Sequence, residues 1–110
     1  MNDQIIDVNK KIRSIQDTMY VTGGKWKISI LTAIYLGNKR FTDIKNCVDG
    51  ITPKILSKEL KNLEMNKLIV RIVSDTYPTT ISYESSEYCK SLSNVIKVMA
   101  DWGEEHRKKI

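Results

Sequence analysis

Apolar residues recur along this chain at two different periods, and the changes of period mark its elements. Ile5, Val8, Ile12, Ile15 and Met19 are spaced alternately three and four apart. That spacing predicts a helix over residues 3–20 with a narrow apolar stripe, the seam of a helix that packs on another helix. Gly23-Gly24 ends it. Residues 25–36 read as a second helix, with Trp26, Ile30, Ala33, Ile34 and Leu36 on its buried side and Gly37 as the stop.

A short third helix is predicted from Phe41 to Val48. Phe41, Ile44 and Val48 face inward, and Asp49-Gly50 breaks it. A fourth runs from Thr52 to about Met65. Thr52 can cap the free backbone donors, and Pro53 suits the first helical position, where its missing N–H loses no bond. Ile55, Leu56, Leu60 and Leu63 form the buried stripe. Lys54, Ser57, Lys58 and Lys61 fall three or four apart on the opposite side and make one polar, basic face.

The period then shortens. The branched residues from Leu68 to Val73 and from Ile81 to Glu84 read as two strands, joined by the turn-rich segment Ser74-Asp75-Thr76-Tyr77-Pro78-Thr79. Pro78 is unsuited to a central strand. Ser85 or Ser86 caps a last helix that runs to about Arg107, with Tyr88, Leu92, Val95, Ile96, Met99 and Trp102 at helical spacing. One protomer cannot cover both end helices. Ile5, Val8, Ile12, Ile15, Met19, Val95, Met99 and Trp102 are therefore expected to form a homodimer interface.

Composition narrows the class. At 110 residues, 41% hydrophobic and 28% charged, the chain is an ordinary globular domain able to bury a core. No stretch is long and apolar enough to span a bilayer, and acids and lysines interrupt the N-terminus, so neither a membrane partner nor a secretory signal is expected. Cys47 and Cys89 lie 42 positions apart with no metal spacing. That excludes a disulfide scaffold and fits a reducing cytoplasm. The net charge of +5 is uneven: +2 over residues 1–38, +4 over 39–71 and −1 over 72–110. A basic centre makes a polyanion the leading partner class.

The order helix, helix, helix, helix, hairpin, helix places a tight turn between a short helix and a capped basic one. This is a helix-turn-helix with a wing, mostly α with a small β-hairpin. Such a helix fits the DNA major groove, its side chains reaching base edges, while the preceding helix crosses the backbone.

At this point a specific resemblance emerges. Gly23-Gly24-Lys25-Trp26, Gly37-Asn38-Lys39-Arg40-Phe41, Gly50-Ile51-Thr52, Leu60 with Leu63-Glu64, and Tyr77-Pro78 with Tyr83 resemble, in order and spacing, the HxlR family of bacterial winged-helix transcriptional regulators. The resemblance spans about residues 20–102. It implies one domain over 1–110, with residues 1–20 and 86–107 as dimerisation helices and 25–84 as the DNA-binding core. It implies cytoplasmic homodimers on double-stranded DNA, the fourth helix in the major groove and the wing along the neighbouring backbone or minor groove. By position, Thr52, Pro53, Lys54, Ser57, Lys58 and Lys61 would form the reading helix, Lys39 and Arg40 would meet phosphate, and Thr79 and Thr80 would touch DNA from the wing.

Three positions depart from the pattern. Many members carry a redox-sensing cysteine about ten residues before the double glycine, where this chain has Arg13-Ser14-Ile15. Thr79 and Thr80 stand where the wing usually holds arginine, so weaker or non-ionic wing contacts are expected. Cys89 stands where a glycine is usual near the start of the last helix.

The remaining chemistry is sparse. Cys47 is expected to be a small buried residue beside Ile44 and Val48. Cys89, in the first turn of a helix, is a candidate redox thiol, opposed by nearby Glu84 and Glu87. His106 has no partners at ligand spacing, so no metal and no cofactor are expected. Trp26 and Trp102 read as core or interface anchors, with an unknown small-molecule effector between them as a further candidate partner. No nucleophile–base set or phosphate loop is visible, so an enzyme is not expected. The competing reading is a winged-helix protein-interaction module without specific DNA binding.

Overall fold

The computed structural model describes residues 3–110, with side chains described from Asp7 onward. The chain runs α1 (Asp3–Thr22), α2 (Lys27–Tyr35), α3 (Phe41–Cys47), α4 (Pro53–Met65), β1 (Ile69–Val73), β2 (Ile81–Ser85), a 3₁₀ turn (Tyr88–Leu92) and α5 (Ser93–Arg107). β1 and β2 form an antiparallel hairpin in which Ile69 faces Ser85, Arg71 faces Tyr83 and Val73 faces Ile81. This is a winged helix-turn-helix with a helix added at each end.

The core lies among α2, α3, α4 and the base of β1. Ile30, Leu31, Ala33 and Ile34 of α2 meet Ile44 and Val48 of the α3 segment, Ile51, then Leu56, Leu60 and Leu63 of α4, and Leu68 and Ile69. α4 is amphipathic as its spacing requires: its three buried leucines leave Lys54, Ser57, Lys58 and Lys61 exposed. The Thr52 hydroxyl accepts a hydrogen bond from the Ile55 N–H at 3.2 Å, and Pro53 stands first in the helix. Lys27 of α2 and Glu59 of α4, both largely buried, stand 3.6 Å apart and link these two helices at a second point.

Two turns position α4. Gly50, at φ +82°, makes the bend between α3 and α4, a left-handed conformation that a side chain disfavours. At the other end Lys67 adopts φ 66° and leads the chain out of α4 into β1. A non-glycine residue there costs about 1–2 kcal/mol of backbone strain, partly offset by its lower entropy when unfolded. Replacing Lys67 with Gly is expected to stabilise the fold by about 0.5–1 kcal/mol. A melting point that stays or falls would show the strain to be absent.

Beyond shifts of one or two residues at the ends of α1, α3, β1 and β2, the structure differs from the sequence reading in these details. Leu36 is 70% exposed, because α2 ends one residue before it, and Leu31 is buried in its stead. α2 begins at Lys27 rather than residue 25, with Trp26 at its cap. The last helix does not start at Ser85 or Ser86. The Ser86 hydroxyl does cap, accepting from the Cys89 N–H at 3.0 Å while donating to the Lys67 carbonyl at 2.6 Å, but the turn it starts is 3₁₀. Cys47 is exposed. At about 100° per residue it lies roughly 95° from the mean direction of Phe41, Ile44 and Val48, too far round for the core to cover it.

α1 and α5 lie largely outside the core. Val8, Ile12, Ile15 and Met19 are all exposed on α1, as are Val98, Met99 and Trp102 on α5, while Val95 is half-buried. The side chain of Ile5 falls outside the described residues. The Cα radius of gyration is 17.0 Å, against about 13 Å for a compact chain of this length. The chain is extended because its end helices project.

Candidate nucleic-acid interface

The basic face of α4 is built by elimination. Burial of Leu56, Leu60 and Leu63 fixes the rotation of the helix, and Lys54, Ser57, Lys58 and Lys61 can only point away. The Thr52 hydroxyl caps α4 yet keeps its own hydrogen to donate outward. Pro53 is exposed beside it.

Lys39 and Arg40 precede α3 and are both exposed. Arg40 carries no ion pair among the described residues. Lys39 does: its Nζ lies 3.1 Å from Oε1 of Glu84 on β2, and its carbonyl accepts from the Tyr83 N–H at 2.7 Å. Lys39 therefore joins the entrance of the helix-turn-helix to the wing. Both side chains are about half exposed, so the pair is weak, and a phosphate can compete for the lysine. Thr79 is exposed on the wing loop. Thr80 closes that loop, its N–H donating to the Ser74 hydroxyl and its carbonyl accepting from the Ser74 N–H, both at 2.9 Å.

One member of this surface was missed in the sequence. Arg71, on β1, lines a groove of about 380 Å³ together with Ser57, Leu60, Lys61 and Glu64 of α4 and Tyr83 of β2. The groove ties the basic face of α4 to the wing. A strand's alternation does not tell which face meets the neighbouring helix, so only the fold brings Arg71 and Lys61 to one place.

Comparison with known proteins fits this geometry. Residues 21–110 match the HxlR-like helix-turn-helix family. The chain belongs to that family. It is a transcriptional regulator with a helix-turn-helix DNA-binding domain of this type. It is 37% identical over 97 residues to the HTH-type transcriptional regulator YtcD of Bacillus subtilis strain 168, covering 88% of this chain and 77% of YtcD. The crystal structure of YtcD superposes with a TM-score of 0.77 over 86% of this chain and 96% of that one. A MarR-family regulator from Enterococcus faecalis V583 superposes with a TM-score of 0.81 at 27% identity, covering 90% of each chain. The reduced form of the redox regulator HypR does so at 0.78 and 30%, covering 86% of this chain and 93% of that one.

The two thiols of this family member sit in unlike surroundings. Cys89 is half-buried under α2, and that burial pushes its thiol up from the ordinary value. At neutral pH it is therefore held as the neutral thiol, the form less reactive toward oxidants. Cys47 stands in solvent. Iodoacetamide at pH 7.5 is expected to modify Cys47 first, and modification of Cys89 to accelerate as pH rises toward its raised pKa. Peptide mapping after timed quenches checks the order. Faster labelling of Cys89 at pH 7.5 would contradict the burial described.

Trp26 and Trp102 make aromatic contacts of their own, and neither is among the walls of the cleft between α2 and α5. Trp102 stacks on His106 at 4.8 Å, and Lys25 lies 4.7 Å over the Trp26 ring. An apolar cleft of about 340 Å³ lies between α2 and α5, with Leu31, Tyr35, Cys89, Ser93, Ile96 and Lys97 among its walls. No cluster among the described residues has the make-up of a metal site, and no described helix is long and apolar enough to cross a membrane.

Proposed function

We propose that the chain acts as a homodimeric, sequence-specific regulator that inserts α4 into the DNA major groove. The observation that carries this reading is the single exposed face of Lys54, Ser57, Lys58 and Lys61 on a helix whose opposite side is fully engaged in the core. Lys39, Arg40 and the wing with Thr79 and Thr80 flank that face and contact the backbone. The exposed apolar residues of α1 and α5 join two protomers, which presents two copies of α4 to two half-sites. The α2–α5 cleft is the candidate place for an effector, since a ligand there would press on a helix of the dimer interface.

Fluorescence anisotropy with a duplex from upstream of the chain's own gene, beside a scrambled duplex, tests this at several salt concentrations. Preferential binding to the upstream duplex, weakening steeply as salt rises, is the expected result. Equal binding to both duplexes would remove local sequence specificity. No binding to either at low salt would favour a protein-docking module.

A further inference from the structure

We infer that the groove between α4 and the wing is a phosphodiester site, in which Lys61 and Arg71 together grip the DNA strand that separates the two grooves. The inference rests on the proposed DNA-binding function and adds a residue and a role to it. A helix in the major groove and a hairpin beside the adjacent minor groove flank one sugar–phosphate backbone. Whatever lies between helix and hairpin must face that backbone.

What lies there is suited to it. Lys61 comes from α4, Arg71 from β1, and both are exposed. Among the described residues neither lies within 4.0 Å of a carboxylate. Both charges are therefore available to a ligand. Guanidinium is the better phosphate partner of the two, since its planar fork donates two parallel hydrogen bonds to two oxygens. Tyr83 stands directly across the ladder from Arg71 and packs against the core, so its phenol is held in place. Its hydroxyl and that of Ser57 add neutral donors of the kind that fix register on phosphate. Leu60 forms the floor. Glu64 also lines the groove and opposes an anion. Two cations against one acid leave the groove positive.

A phosphate contact has a signature that a base contact or a structural role lacks. Each one contributes about 0.9 to the slope of log affinity against log salt, whatever the sequence. Arg71→Gln is therefore expected to weaken binding to the upstream and scrambled duplexes alike. Its deficit against wild type should narrow about threefold to fourfold between 50 and 200 mM salt. Arg71→Lys, which keeps the charge, should keep the wild-type slope, and Lys61→Gln should lower it as Arg71→Gln does. Melting of each variant without DNA separates contact from folding. If Arg71→Gln fails to fold, the slopes of Arg71→Lys and Lys61→Gln still decide the matter. An unchanged slope in Arg71→Gln or Lys61→Gln, or a loss confined to the upstream duplex, overturns the site while leaving the regulator reading intact. Wild-type protein that binds neither duplex overturns both.

Discussion

Replacing Ile15 with Glu is expected to leave the protein a folded monomer and to cut its affinity for a two-half-site duplex about 100-fold or more. Ile15 is 58% exposed in the protomer, midway along a stripe that runs from Val8 to Met19. It is no part of the buried core among the described residues, so the substitution leaves that core undisturbed. At a seam between two copies the carboxylate would instead be taken out of water without a partner, at a cost of several kcal/mol. Loss of the seam makes the second half-site an independent encounter, which is where the fall in affinity arises. Sedimentation velocity checks the oligomeric state, and circular dichroism checks the fold. Wild-type protein that sediments as a monomer, or an Ile15→Glu variant that remains a dimer, would place the interface elsewhere.

A different kind of loss is expected for Leu56→Ala. Leu56 is fully buried and locks α4 onto the rest of the core. Truncation removes its transfer free energy and leaves a cavity, together costing about 2–5 kcal/mol. Each kcal/mol corresponds to about 4–8 °C in melting temperature at this size, so the midpoint should fall by about 10 °C or more. Urea titration should show a lower midpoint with an unchanged slope. The folded fraction should still bind DNA, since the basic face lies on the other side of the helix. A loss below about 1 kcal/mol would mean that Leu56 is not packed as described.

Much of this architecture was readable because several signals agreed at the same place. Thr52 and Pro53 fixed the start of α4 to the residue, and the leucine spacing fixed its rotation, which in turn placed the basic face. The misreadings share a cause, which is that each depends on what the rest of the fold supplies. α2 is apolar on nearly every side, so no stripe distinguishes Leu31 from Leu36. It is the end of the helix at Tyr35 that exposes Leu36. Cys47 was read from its neighbours, whereas its exposure follows from an angle on a seven-residue helix. The 3₁₀ turn is fastened by a hydrogen bond from Ser86 back to Lys67, 19 residues earlier. Arg71 gained its place only when β1 folded against α4.

The hairpin that carries Arg71 has one more consequence. In a two-stranded sheet neither strand is interior. The outer edge of β2 is met by the Lys39 carbonyl, which accepts from the Tyr83 N–H. Because Tyr83 bonds outward, Arg71 opposite it turns its own N–H and C=O to the free edge of β1. Val70, Ile72 and Val73 are exposed beside it, an invitation to a further strand from another molecule. A charged residue such as Arg71 at an edge position discourages that pairing. Concentrated protein kept free of DNA at high ionic strength, where this charge is screened, is therefore expected to aggregate by strand addition at β1.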